Sequence, residues 1–151
     1  MFTSQSLRAV AKPGSVAFSE HRLDDVVHQI DVMGTLEETG ELSRRIEAAL
    51  AAGVRWLILD LGAAVKVSDL VLEGLVDAAG ALRARRGELI IAGASRHVAQ
   101  RLASYDVAHR PAVAANVDQA VMILKMLRPK TDISRAKKQI TSLTLPRIEP
   151  T

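Results

Sequence analysis

The side chains that could do chemistry in this 151-residue chain are few. Four histidines, His21, His28, His97 and His109, stand in four different segments. None pairs with another at i, i+4, and none has the carboxylate spacing a zinc site needs. His28 lies in the apolar run Val26 to Met33, where a histidine is more often a satisfied packing residue than a ligand. Cysteine is absent, which removes disulfides, thiolate metal sites and thiol catalysis together. The serines stand in no nucleophile elbow. The glycines form neither a dinucleotide fingerprint nor a Gly-Lys-Ser/Thr phosphate loop. These patterns predict a protein that is not an enzyme and needs no metal or cofactor. The stretch that matters most is Asp60 to Leu70 (DLGAAVKVSDL), because it ties a strand end, a connection and a helix start together.

The elements that must position this stretch follow from periodicity. Val16 to His21 and Val26 to Met33 read as strands, with Asp24-Asp25 as the turn and Gly34 as the stop. In the second, Val26, His28, Ile30 and Val32 share one face, with Gln29 and Asp31 on the other. From Thr39 the spacing of Leu42, Ile46, Ala49 and Leu50 predicts a helix that Gly53 ends. Val54 to Asp60 (VRWLILD) is a continuous apolar run, as expected of a central strand buried on both faces. Leu61 to Val67 reads as a loop. Ser68 and Asp69 are both good N-cap residues for a helix with Leu72, Leu75, Val76, Ala79 and Leu82 on one stripe, ending at Gly87. Glu88 to Ala92 is a further buried strand, Ser95 opens a helix through Val98 and Leu102, and Ala112 to Ala114 is a short strand. Asn116 and Gln119 form a capping box for a last helix carrying Ala120, Ile123, Leu124 and Leu127.

This alternation predicts an α/β fold: a mixed sheet with parallel central strands and about four helices. Sites in such sheets favour the carboxyl ends of the strands, where Asp60 to Asp69 lies. Asp60 stands where a receiver domain keeps its phosphoacceptor. However, Asp24-Asp25 precede the second strand, and no lysine follows a late one. Asp60 therefore reads as a carboxylate that anchors the next segment.

Composition bounds the rest. The chain is 48% hydrophobic but only 3% aromatic, so its core is aliphatic. The net charge of +3 is uneven. Lys125 to Thr151 holds seven basic residues against Asp132 and Glu149, leaving 13 basic and 15 acidic residues before it. The body is thus no basic nucleic-acid binder, and the tail has no aromatic residue to stack on bases. The tail reads as a solvated terminus or an electrostatic arm. Residues 1–14 read as a flexible lead-in, 15–128 as the folded domain and 129–151 as a basic flexible tail. With neither a signal peptide nor an apolar stretch of membrane-spanning length, the expected location is the cytoplasm, without membrane attachment.

Gly34-Thr35-Leu36, the strand Trp56 to Leu61 (WLILDL) and the later Glu88 to Ser95 (ELIIAGAS) occur in an order and spacing that resembles the STAS domain, the anti-sigma-factor-antagonist fold. The resemblance spans about Val16 to Leu127. It implies a non-enzymatic bacterial module of transcription regulation that docks on an anti-sigma factor of the ATP-binding kinase type and so frees a sigma factor. The family's site is an Asp-Ser pair opening the helix after the Asp-Leu strand, its serine phosphorylated by the partner. Here the two residue types are exchanged. Ser68 takes the aspartate's place and Asp69 that of the serine, and Leu70 and Val71 replace the usual small residues. The resemblance thus implies a docking surface across residues 62–75 made by Lys66, Ser68, Asp69, Val71 and Leu72, with exposed apolar side chains for affinity and Asp69 for specificity. A second possibility within the resemblance is a small-molecule sensor or a scaffold subunit of a larger assembly. A homo-oligomer is compatible with either.

Overall fold

The central strands of the sheet are buried on both faces, and the helices distribute between those faces. The computed structural model describes residues 15–128. The expected lead-in (1–14) and basic tail (129–151) lie outside the described residues. The strands are β1 (Val16–Arg22), β2 (Val27–Leu36), β3 (Trp56–Val67), β4 (Glu88–Ala92) and β5 (Ala112–Ala114). The helices are α1 (Gly40–Ala51), α2 (Asp69–Arg83), α3 (Arg96–Ala103) and α4 (Val117–Leu127). The sheet order follows the chain, β1-β2-β3-β4-β5, with β1 antiparallel to β2 and the other pairs parallel. This is the mixed sheet with parallel central strands and four helices that the pattern predicts.

On one face Ile30, Val32, Leu57, Leu59, Leu89 and Ile91 pack against α1, α2 and α3. On the other, Val27, Trp56, Ile58, Ile90 and Ala92 pack against Ala120 and Leu124 of α4. Alternate residues of β3 and β4 thus point to opposite cores, which is why both strands read as unbroken apolar runs. Gly87 is needed for close approach: a Cβ there would fall 1.6 Å from the Arg55 carbonyl oxygen.

Four expectations need correction. β2 does not stop at Gly34 but continues to Leu36. Gly34 adopts φ +90°, and a Cβ there would lie 2.4 Å from the Ser15 carbonyl oxygen, so glycine keeps the strand going where another residue would break it. The stretch Leu61 to Val67 is not a loop. It extends β3, because Ala63, Ala64, Lys66 and Val67 pair with β2 from Met33 to Leu36 through two register shifts. Val26 does not share the face of Ile30 and Val32: it precedes β2 and packs, with Val27, on the opposite core. On α4, Ala120 and Leu124 are buried and Ile123 packs partly buried against the same core, whereas Leu127 is exposed. Among the described residues, no helix is long and apolar enough to cross a membrane.

Candidate functional site

The carboxyl ends of β2 and β3 converge on the start of α2, and Ser68 is the knot. Its N–H donates to the Leu36 carbonyl at 3.0 Å and its Oγ–H to the Glu37 carbonyl at 2.9 Å. The same Oγ accepts from the Val71 N–H at 3.3 Å, which caps α2. Ser68 is therefore fully engaged in the backbone.

Its neighbour Asp69 faces outward from the first turn of α2, with 60% of its side chain exposed. There the free N–H groups of the helix favour a negative charge. Its Oδ2 lies 2.8 Å from Nη2 of Arg101, in the last turn of α3. Lys66, near the end of β3, lies with Nζ 3.3 Å from Glu37 Oε2. Beside these charges stand two exposed apolar side chains, Leu70 (59% exposed) and Val65 (81%). A groove of about 240 Å³ runs alongside, between Ala64 to Val67 of β3 and Ser95, His97 and Val98 at the start of α3.

The structure brings Lys66, Ser68 and Asp69 into this one surface but withdraws two other predicted members. Val71 and Leu72 are 0% and 1% exposed and sit in the core with Leu75, Ala79 and Leu82. They follow the helical stripe that faces the sheet, so they cannot supply exposed apolar contact. Leu70, one position off that stripe, and Val65 take that place. Both lie within the predicted docking segment 62–75 but outside its five named contacts, although Leu70's helical phase turns it outward. Arg101 was missed as well, because a pairing across 32 residues leaves no local pattern.

The remaining candidates resolve into structure. Asp60 Oδ1 accepts from the Gly62 N–H at 2.9 Å, at the first register shift of β3, so it anchors that irregularity. His28 Nε2 lies 2.8 Å from Glu20 Oε1, and Arg45 also pairs with Glu20 while its guanidinium stacks 4.7 Å from the Phe18 ring. Hydrogen bonding to His28, reinforced by Arg45 against the opposing effect of burial, holds the Glu20 carboxyl below its ordinary pKa. On the sheet face beyond α4, Ser19, His21 and Asp31 meet, an assembly that sequence spacing did not suggest. Both oxygens approach the same ring nitrogen, His21 Nε2, at 3.3 and 2.9 Å. A proton relay needs opposite ring nitrogens, so this set does not activate Ser19. His109 lies 3.7 Å from Asp106 at the surface. Among the described residues, no three His, Cys, Asp or Glu side chains gather as a metal would require.

A family model of the STAS domain matches residues 25–120, from the β1–β2 turn into α4. The chain belongs to the STAS domain family. No curated protein matches it by sequence. Among solved structures, this STAS fold is similar to the anti-sigma factor antagonist SpoIIAA in its unphosphorylated form, at TM-score 0.60 and 15% identity over 72% of this chain and 98% of that one. It is also similar to an anti-sigma factor antagonist from Mycobacterium paratuberculosis, at TM-score 0.58 and 19% identity over 77% and 99% of the two chains. At such identities the likeness is one of fold: a STAS module with the architecture of anti-sigma factor antagonists.

Proposed function

We propose that this STAS domain is a non-enzymatic regulatory module that docks on an anti-sigma factor of the ATP-binding kinase type, in the bacterial cytoplasm, and thereby acts on transcription. The carrying observation is the exposed carboxylate of Asp69 at the N-terminus of α2, beside the exposed Val65 and Leu70; the family resemblance puts the phosphorylated serine at this position. Apolar side chains supply affinity by leaving water, and a charge among them selects the partner. In the family the switch adds about −1.5 to −2 charges at this helix end, which the helix itself tolerates, so release arises from repulsion or a blocked fit on the partner's side. Asp69 carries a single fixed charge there. The partner that fits this chain is therefore one that docks with a carboxylate in place and does not depend on a kinase to install it.

The test is a capture experiment with three baits, the wild type, Asp69→Ser and Leu70→Asp, read by mass spectrometry of bound proteins and by the affinity of the purified captured protein. The reading expects an ATP-binding anti-sigma factor on the wild type, altered affinity with Asp69→Ser and loss with Leu70→Asp. If wild-type bait captures no such protein while a small molecule raises its melting temperature, the sensor alternative replaces this one. Isolation of the chain inside a large assembly of STAS proteins would instead favour the scaffold.

A further inference from the structure

Both charged side chains that frame Val65 and Leu70 are already answered from within the chain. Lys66 is met by Glu37 at 3.3 Å and Asp69 by Arg101 at 2.8 Å. All four side chains are at least half exposed, at 51–65%. Such pairs contribute little to folding. Their consequence lies outward. A carboxylate alone projects a net charge over a Debye length of about 8–10 Å, whereas a carboxylate closed against a guanidinium projects only a local dipole. The guanidinium also keeps donors that Asp69 does not use, since it has five in all.

We infer that Arg101 is a specificity-determining residue of the docking face: by closing on Asp69 it presents the switch position as electrically neutral and keeps the domain competent to dock. This rests on the docking reading proposed above and deepens it. It also decides between the two behaviours a fixed carboxylate allows. A bare Asp69 would imitate the phosphorylated, released state, whereas the Asp69–Arg101 pair imitates the unphosphorylated one. The matching partner surface is apolar opposite Val65 and Leu70, with hydrogen-bond acceptors rather than a bare negative charge opposite the pair.

The experiment measures affinity for the anti-sigma factor captured by wild-type bait, using full-length wild type, Arg101→Gln, Arg101→Lys, Asp69→Ser and the double variant Asp69→Ser with Arg101→Gln. Arg101→Gln uncovers the carboxylate and should weaken binding by about tenfold or more, as an unpaired charge at an interface does. The double variant should return to within about threefold of wild type, and Arg101→Lys should stay close to it. Binding of Arg101→Gln within about twofold of wild type, or a double variant as weak as Arg101→Gln, overturns the inference while leaving the docking reading intact. If wild type captures no ATP-binding anti-sigma factor, the docking reading fails and this inference with it. The pair is also read without any partner: in nitrogen-15 spectra the Arg101 guanidinium signals should shift in Asp69→Ser. Signals that do not move overturn the inference independently. Emission of the buried Trp56 verifies that each variant is folded.

Discussion

Three consecutive side chains at the start of α2 are apolar, yet only one of them is available to a partner, and this divides the effects of mutation sharply. Leu72 is 1% exposed and lies in the cluster with Leu36, Leu57, Leu75 and Val98. Replacing it by alanine removes three buried carbons and leaves a void among side chains already fixed by the sheet, for an expected loss of about 2–5 kcal/mol. For a domain of this size each kcal/mol lowers Tm by roughly 3–5 °C, so Leu72→Ala should melt about 6–25 °C below wild type. Leu70 is 59% exposed, and Leu70→Ala sits in a helical turn where alanine is well tolerated, so its stability should remain within about 0.5 kcal/mol. Urea unfolding followed by Trp56, the only tryptophan and itself 3% exposed, measures both. The docking assay should show the reverse order, with Leu70→Ala weakened and Leu72→Ala affected only through its unfolded fraction. Comparable destabilisation by the two substitutions would refute the assignment of Leu72 to the core and Leu70 to the docking face.

Other substitutions probe the frame around the site. Gly87→Ala places a methyl 1.6 Å from the Arg55 carbonyl oxygen, a backbone neighbour that cannot turn aside, and should yield little soluble folded protein on expression. Glu20 has its carboxyl pKa held down by His28 and Arg45, so it favours the folded state above the ordinary glutamate value of 4.5. That contribution disappears as pH falls through the lowered value, and Glu20→Gln should therefore flatten the acid side of a Tm-against-pH curve. Arg83 reaches both oxygens of Glu88 and the carbonyls of Ala108 and Arg110, binding the segment before β5 to α2. Arg83→Ala should cost about 1–3 kcal/mol and speed hydrogen exchange in β5 above all other strands.

How far the fold could be read in advance depended on how local each signal was. Caps were legible because they are written within three residues: Ser68 bonds to Val71, Ser95 to Val98, and Asn116 to Gln119, each as the spacing predicts. β3 and β4 were legible because burial on both faces leaves an unbroken apolar run. The far half of β3 was not, since Gly62-Ala63-Ala64 has weak strand preference and is held extended only by pairing with β2. Gly34 misled for the same reason, a glycine that ends a strand in isolation but carries it past the Ser15 carbonyl in context. At the site, Ser68 and Asp69 were placed by motif. Proximity to that motif draws Val71 and Leu72 toward the surface, although the stripe of Leu72, Leu75, Ala79 and Leu82 turns them inward. Arg101 belongs to tertiary structure alone.

The exchanged order of Ser68 and Asp69 has a physical logic that can be tested by undoing it. Position 68 must supply an oxygen to the Val71 N–H, and serine and aspartate cap helices about equally well. Position 69 faces outward beside Arg101, where the fold makes no packing demand. The chain therefore keeps its cap while replacing a modifiable hydroxyl by a fixed charge, and the two positions are separable in stability although adjacent in sequence. Ser68→Ala alone should cost about 0.5–2 kcal/mol, because the cap is lost and the Glu37 carbonyl loses its donor. Ser68→Asp combined with Asp69→Ser should lie between wild type and Ser68→Ala in stability, since the new carboxylate can accept from Val71 and gains from the helix dipole but cannot donate to the Glu37 carbonyl. In docking the double exchange leaves Arg101 without its partner and places a hydroxyl at position 69, which restores the family's order and its sensitivity to a kinase. Incubation with the captured anti-sigma factor and ATP should then transfer phosphate to the double exchange and not to the wild type, with release of the complex following transfer. Phosphate found on wild-type Ser68 would contradict this, because it would show that the capping hydroxyl, engaged on both sides in the structure, is accessible to the kinase after all.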